Sequence, residues 1–134
     1  MFLGQYSPLF QKGVSRLSLP KKLRQGLSAN EVILSQGFDQ CIFGYDKVGW
    51  EIESAKHLES PISDEKSRQI RRYLFGFAQI IPIDSQGRVV IPQDLKSYAG
   101  IDEEVVVVGA GDHFEIWNQK KWEATQKELS NVKF

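Results

Sequence analysis

The chain contains an internal repeat, and no other feature of the sequence constrains its fold as strongly. The segment Arg16-Leu17-Ser18-Leu19-Pro20 recurs, with similar residues, as Arg88-Val89-Val90-Ile91-Pro92. The alignment continues at the same spacing, so that Trp50-Glu51 falls on Trp122-Glu123. Self-similarity of this kind means that one structural unit is used twice. We therefore expect the chain to fold as two similar halves.

The second copy shows most clearly what each unit contains. Ile80 to Ile83 and Arg88 to Ile91 have the β-branched composition of strands. Between them, Asp84 to Gly87 indicates a type I turn, because an Asp in the first position bonds to the backbone amides ahead of it. Pro92 suits the first turn of a helix, where its missing N–H loses no partner. We expect a hairpin, with Arg88 presented just past its tip on a stiff support.

In the first copy the turn chemistry is different. Lys12 and Gly13 replace the Asp-led turn, and we expect Gly13 to adopt the positive φ of a type II′ turn. Arg16 to Leu19 is then the returning strand, followed by a short basic helix. Farther along, Asp46 is placed to cap a helix that runs to about Leu58.

The two halves together predict an α+β fold, mainly β, in a single domain of residues 1–134. The repeats span about residues 2–59 and 77–129, and a helix of about residues 63–76 joins them. The chain is 41% hydrophobic and 25% charged, as is typical of a globular protein. No apolar run approaches the length needed to span a membrane, so we expect no membrane attachment.

The distribution of charge is more informative than its total. The formal net charge is zero, so the chain as a whole does not indicate nucleic-acid binding. The first 30 residues nevertheless contain no Asp or Glu. Their basic residues are Lys12, Arg16, Lys21, Lys22 and Arg24. A local basic patch can bind phosphate even when the total charge cancels, although single surface charges are more commonly just solvated.

The sequence offers little catalytic chemistry. His57 and His113 are the only histidines, and Cys41 is the only cysteine. Cys41 lies in a short apolar run, which indicates a buried structural thiol, and a lone cysteine suits a reducing cytosol. Asp102-Glu103-Glu104 is the one acidic cluster, and we interpret it as a solvated loop. We expect no enzyme activity, no metal and no cofactor.

Arg16 and Arg88 occupy equivalent positions in the two copies, each beside a predicted hairpin tip. A hairpin is slim enough to enter the major groove, where a planar guanidinium can bond to O6 and N7 of guanine or clamp a phosphate. The alternative for Arg88 is an ion pair with Asp84 of its own turn, and the residues alone do not decide between the two. For Arg16 this alternative is weaker, because Lys12 stands where the second copy has Asp84.

Several short motifs together resemble the MraZ family, which is encoded at the head of the bacterial division and cell wall gene cluster. The motifs are Met1-Phe2-Leu3-Gly4, Arg16 to Pro20, Gly76-Phe77-Ala78, Asp84 to Pro92 and Phe114-Glu115-Ile116-Trp117. The family carries one DxxxR motif in each repeat, and the second is intact here as Asp84 to Arg88. The first keeps Arg16 but has Lys12 in place of the Asp. It also has Val14 and Ser15 where a Lys or small residue and then Gly are usual.

The resemblance carries expectations about fold, assembly and function. It implies an AbrB-like fold, a swapped-hairpin, double-split β-barrel built from the two repeats with short flanking helices. It also implies a ring-shaped homo-oligomer, an octamer or a dodecamer. Members of the family act as sequence-specific transcription regulators, usually repressors, on G-rich direct repeats in double-stranded DNA upstream of their own operon. The resemblance therefore implies a place in the cytoplasm, associated with the nucleoid.

The residues and the resemblance together favour a DNA-binding transcription regulator that acts as a repressor. The DNA contacts are expected from Arg16, Lys12, Lys21, Lys22, Arg24 and Arg88. Asp84, Gly87 and Ser18 are expected to support and orient them. The alternative is an AbrB-like ring that binds another protein and has no specific affinity for DNA.

Overall fold

The computed structural model describes all residues from 1 to 134, in nine strands and five helices. The strands are β1 (Gln5–Tyr6), β2 (Phe10–Gln11), β3 (Arg16–Ser18), β4 (Glu31–Gln36), β5 (Ile42–Tyr45), β6 (Gln79–Pro82), β7 (Arg88–Val90), β8 (Val105–Gly109) and β9 (Phe114–Asn118). The helices are α1 (Lys21–Arg24), α2 (Lys47–Leu58), α3 (Glu65–Phe75), α4 (Gln93–Ala99) and α5 (Gln119–Ser130). The expected α+β class is confirmed. No helix is long and apolar enough to cross a membrane.

The strands form two antiparallel sheets in which the halves of the chain exchange strands. The larger sheet has the order β1-β8-β9-β5-β4-β6, and the smaller has the order β2-β3-β7. Strand β1 from the first half pairs with β8 of the second half, and β6 from the second half pairs with β4 of the first. The smaller sheet is also shared, because β3 and β7 come from different halves. Neither half therefore completes a sheet by itself.

Both faces of the larger sheet are buried, and the alternation of side chains along its strands explains how. Val105 and Val107 of β8 belong to one core cluster of eighteen buried residues, whereas Val106 between them belongs to a second cluster of seven. The larger cluster also contains Leu17 and Val89, so the smaller sheet packs on that face. The second cluster includes Trp122 of α5. Continuous apolar runs are expected in strands buried on both faces.

The prediction of a hairpin in the second copy was wrong, although its turn was predicted correctly. The N–H of Gly87 donates to the carbonyl of Asp84 at 3.0 Å, and Asp84 Oδ1 accepts the N–H groups of Gln86 and Arg88 at 2.9 Å. The flanking strands then separate, because β6 pairs with β4 while β7 pairs with β3. Arg88 therefore follows a corner between two sheets and not the tip of a hairpin.

In the first copy the hairpin is confirmed, but the residue with positive φ is not the one expected. Strands β2 and β3 pair with Gln11 opposite Arg16. Lys12–Val14 form a 3-10 turn, and Ser15, not Gly13, adopts the left-handed conformation with φ of 53°. Ser15 aligns with Gly87, whose φ is 76°. The repeat thus keeps the backbone shape of the turn although it does not keep the glycine.

The ends of the longer helices are close to those predicted. Asp64 caps α3 by accepting the N–H of Ser67 at 3.0 Å. Asp46 stands at the start of α2 but does not cap it. Its carboxylate instead accepts the N–H and the hydroxyl of Ser28, both at 2.9 Å to Oδ1. That contact ties the start of α2 to the loop that follows α1.

Candidate nucleic-acid interface

The smaller sheet brings the two repeat arginines together on one surface. Strands β3 and β7 are antiparallel neighbours, with Leu17 opposite Val89. Both of these side chains are buried, at 0% and 1% exposure. Because side chains alternate between the two faces of a strand, Arg16 and Arg88 both project from the outer face. The sequence placed each arginine beside a turn but did not predict that they share a face.

Their neighbours on this face are set by the same register. Gln11 and Val90 lie opposite Arg16 on its two sides, and Ser18 lies opposite Arg88. Val90 is an apolar residue on the outer face, and it is 52% exposed. Arg16, Arg88 and Val90 line a groove of about 450 Å³ together with residues of β6. Ser18 makes no side-chain hydrogen bond within the chain, so its expected supporting role stays a prediction.

Arg88 is held by its own turn. Its Nε donates to Asp84 Oδ2 at 2.8 Å, and its backbone N–H donates to Oδ1 of the same carboxylate. These bonds lower the pKa of Asp84, with the backbone N–H of Arg88 as the largest cause and the Arg88 side chain and the N–H of Gln86 adding to it. The ion pair between Arg88 and Asp84, which the sequence left open, is therefore formed. It orients the guanidinium and leaves its terminal nitrogens unbonded within the chain.

Arg24 packs against this turn and does not extend freely from the surface. Its Nε donates to the carbonyl of Leu19 at 3.2 Å. A Cβ built on Gly87 would lie 2.4 Å from Arg24 Cζ, so the guanidinium lies directly against the glycine backbone. The N–H of Leu19 also donates to the carbonyl of Gly87 at 2.9 Å. Gly87 thus has two functions, a left-handed backbone and room for Arg24.

Arg16 is the repeat arginine that has no acidic partner. It takes part in none of the ion pairs of the chain, which involve Lys12, Lys56, His57, Arg88 and His113 as the cations. It also makes no side-chain hydrogen bond within the chain. Because Lys12 replaces the Asp of the first motif, Arg16 has no counterpart of the carboxylate that Asp84 offers to Arg88.

Lys12 is directed elsewhere. Its Nζ lies 2.6 Å from Asp102 Oδ1 and 4.0 Å from Glu103 Oε1. The hydrogen bond with Asp102 is the largest cause of a raised pKa for Lys12. The acidic segment, which we interpreted as a solvated loop, is exposed and pairs with Lys12. Lys12 therefore differs from the other basic residues of the first 30, which form no ion pair. Lys21 and Lys22 are exposed on α1 and form no ion pair.

Lys96 belongs to this region, and the analysis of the sequence missed it. Its Nζ donates to the hydroxyl of Ser15 at 2.9 Å. The N–H of Ile91, on the strand before α4, donates to the carbonyl of Ser15 at 2.8 Å. In the repeat alignment Lys96 falls on Arg24 and Ser15 falls on Gly87. The repeat alignment therefore indicates the position of Lys96.

The remaining chemical groups, Cys41 and His113, are buried and half-buried respectively. Cys41 is fully buried, and burial is the largest cause of its raised pKa. His113 packs on Phe43 and Tyr45, with Nδ1 2.7 Å from Asp112 and Nε2 2.9 Å from Glu115. No three His, Cys, Asp or Glu side chains are grouped so as to hold a metal ion.

Comparison with known proteins bears on the same repeat. The model of the family described as "MraZ protein, putative antitoxin-like" matches residues 1–73 and again residues 74–134. The chain belongs to the MraZ family. A protein of Roseiflexus castenholzii named "Transcriptional regulator MraZ" is 40% identical over 92% of this chain and 85% of its own length. A protein of the same name from Clostridium beijerinckii is 35% identical over the whole chain and 92% of its own. A third protein of this name, from Caldicellulosiruptor bescii, is 38% identical over 97% of this chain and 91% of its own length.

Membership of the MraZ family gives the repeat arginines their context. The family model divides the chain within the last turn of α3, the helix that separates the two copies. Each match therefore includes one turn and one arginine. The names of the relatives describe regulators of transcription and not enzymes.

Proposed function

We propose that this protein is a transcription regulator that binds double-stranded DNA with the outer face of its smaller sheet. Arg16 is the residue that reads the DNA sequence. It stands on a strand that is braced on both sides, by β2 and by β7, so its guanidinium is presented from a rigid support. A guanidinium in the major groove bonds best to guanine.

The observation that carries this proposal is the free guanidinium of Arg16 beside the oriented one of Arg88. Arg24 and Arg88 both bond to a carbonyl or a carboxylate of their own chain. Arg16 has no such contact, yet it lies at the centre of the shared sheet. Such a half-buried and unpaired cation is available to a negatively charged or acceptor-rich partner.

The other basic residues have graded roles in the proposal. Lys21 and Lys22, exposed and unpaired, contact backbone phosphates and add affinity that does not depend on sequence. Arg88, oriented by Asp84, provides a second contact with DNA. Its Nε is bonded to Asp84, and its two terminal nitrogens are available. Arg24 acts mainly by supporting the Asp84–Gly87 turn, and Lys12, tied to Asp102, adds least.

Assembly belongs to the same proposal. One subunit with zero net charge and few free cations has weak affinity, whereas several linked copies on successive DNA repeats gain roughly 10²–10⁴ in avidity. We infer a homo-oligomeric ring that binds G-rich direct repeats upstream of its own operon and represses transcription. The strand exchange between the halves supports the swapped-hairpin, AbrB-like barrel as the architecture of this domain of residues 1–134.

A second function, binding of another protein, is favoured by a separate surface. Helix α2 buries none of its residues and exposes three apolar ones, Val48, Ile52 and Leu58, by 50–59%. Val48 and Ile52 are four residues apart and so lie on one side of the helix, and a contiguous exposed apolar patch marks a protein interface. This surface also suits contacts between subunits of the ring, so it does not by itself argue against DNA binding.

The test is a fluorescence anisotropy titration of the wild type and two arginine variants. The labelled duplex carries the G-rich direct repeats upstream of the gene, and a scrambled duplex serves as its control. We expect Arg16→Ala to lose the preference for the repeats, which corresponds to about 1–3 kcal/mol for each base read by a bidentate arginine. Arg72→Ala is the matched control, because Arg72 is exposed on α3 and its side chain forms no bond within the chain.

Three results separate the possibilities. Repeat-specific binding by the wild type and Arg72→Ala, lost in Arg16→Ala, supports the proposal. Normal specific binding by Arg16→Ala shows that the reading residue has been misassigned. If the folded wild type does not distinguish the two duplexes even at low salt, binding of a protein partner becomes the better hypothesis.

A further inference from the structure

The turns beside the two arginines are each supported by the opposite half of the chain. In one direction, Leu19 and Arg24 of the first half contact Gly87. In the other direction, Ile91 and Lys96 of the second half contact Ser15. The residues correspond pair by pair in the repeat alignment. Lys96 is therefore the structural counterpart of Arg24, placed beside the residue that precedes Arg16.

The two supports differ chemically in a matched way. Gly87 leaves no room for a side chain, since its Cβ would overlap the guanidinium of Arg24. Ser15 has a side chain, and the slimmer amine of Lys96 bonds to its hydroxyl. The change from Gly to Ser at the turn is thus accompanied by a change from Arg to Lys at the helix. Each turn is compatible with its own cation.

The charge of Lys96 is not neutralised within the chain. Its partner is a neutral hydroxyl, and Lys96 takes part in none of the ion pairs. An ammonium group has three donors, and the bond to Ser15 uses one. The amine lies beside the strand that carries Arg16, and its other two donors remain available. Arg16 forms no ion pair that an incoming anion would have to displace.

We propose that Lys96 contacts a DNA backbone phosphate next to the base read by Arg16, so that Arg16 and Lys96 form one binding unit drawn from both halves. This inference rests on the proposed function. Phosphate contacts fix the position of a protein on the duplex, while base contacts specify the sequence. Lys96 therefore contributes affinity for all sequences and sets the register in which Arg16 reads.

The experiment measures the salt dependence of DNA binding for variants that separate charge from hydrogen bonding. Lys96→Gln removes the charge but keeps an N–H that can reach Ser15, whereas Ser15→Ala keeps the charge and removes the bond. For each bound subunit, loss of one phosphate contact reduces the slope of log K against log salt by about 0.9, which corresponds to roughly eightfold weaker binding at 0.1 M salt. Lys127→Gln, on exposed α5, is the control for removing one positive charge elsewhere.

We expect Lys96→Gln to reduce the slope of log K against log salt and to weaken binding to the repeat and scrambled duplexes equally. Ser15→Ala and Lys127→Gln should keep the wild-type slope. An unchanged slope in Lys96→Gln, with specific binding by the wild type intact, would overturn this inference and leave the proposed function standing. The same loss of slope in Ser15→Ala would also overturn it, because turn geometry would then be the cause. Absence of DNA binding by the wild type would overturn both proposals.

Discussion

Replacing Gly87 with alanine tests whether the turn beside Arg88 is built as the structure shows. Gly87 has φ of 76°, a conformation that L-residues adopt at a cost. An added Cβ would also lie 2.4 Å from Cζ, 2.6 Å from Nε and 2.6 Å from Nη1 of Arg24. Arg24 would have to move, and its bond to the carbonyl of Leu19 would be lost. The substitution therefore disturbs the contact between the two halves as well as the turn.

The expected cost can be added from these parts. The left-handed conformation costs an alanine about 1–2 kcal/mol, and the lost hydrogen bond costs about 0.5–1.5 kcal/mol. Alanine also restricts the unfolded chain more than glycine does, which offsets about 0.4–1 kcal/mol of this cost. The parts sum to about 0.5–3 kcal/mol, so we expect Gly87→Ala to destabilise the protein by about 2 kcal/mol. Gly13→Ala should instead be neutral or stabilising by up to about 1 kcal/mol, because Gly13 lacks a positive φ and its Cβ would meet nothing within 4 Å.

The assay is urea denaturation followed by circular dichroism, with all variants at one protein concentration because assembly contributes to apparent stability. The two alanine variants should differ by about 2–3 kcal/mol in the free energy of unfolding. In an Arg24→Ala background, the cost of Gly87→Ala should fall, because the overlap with Arg24 is gone. Equal stability of Gly87→Ala and Gly13→Ala would refute the reasoning about both turns.

Two further predictions concern groups in the interior. Burial lowers the pKa of His113, but its bonds with Glu115 and Asp112 outweigh burial and raise it. The stability that this charged cluster contributes is therefore complete below about pH 6.5, the usual pKa of histidine. It is lost as the pH rises through the raised pKa of His113 in the folded protein. Thermal melts should show this decline in the wild type but not in His113→Gln. Cys41 is buried and its pKa is raised, so a thiol reagent should label it slowly in the native protein and rapidly in urea, and fast native labelling would contradict its burial.

The sequence predicted those elements whose determinants are local. Asp84 and Gly87 define a turn by their own chemistry, and the turn forms as expected. Asp64 caps its helix for the same reason. The displaced positive φ in the first copy was recoverable as well, since aligning Ser15 with Gly87 points to Ser15. Local preference for glycine at Gly13 was a weaker guide than the repeat.

The pairing of strands was not predictable in the same way, because it depends on partners far along the chain. A turn flanked by two strands is typical of a hairpin, but β6 gains a four-residue ladder with β4 and β7 a three-residue ladder with β3. These long-range ladders replace the local one. The pairing of Lys12 with Asp102 and of Lys96 with Ser15 has the same origin, since neither follows from spacing in the sequence.

The exchange of strands places two non-equivalent arginines on one face, which would let a subunit bind DNA in a single orientation. Two identical halves sharing a sheet would present two equivalent arginines related by a two-fold axis, and such a pair matches a palindrome. Here the halves differ at the site itself: Arg88 is paired with Asp84, whereas Arg16 forms no ion pair and has Lys96 nearby. Under the proposed function the subunit therefore reads DNA with one arginine in one orientation. Copies arranged head to tail, as in a ring with heterologous contacts, then face direct repeats and not inverted ones.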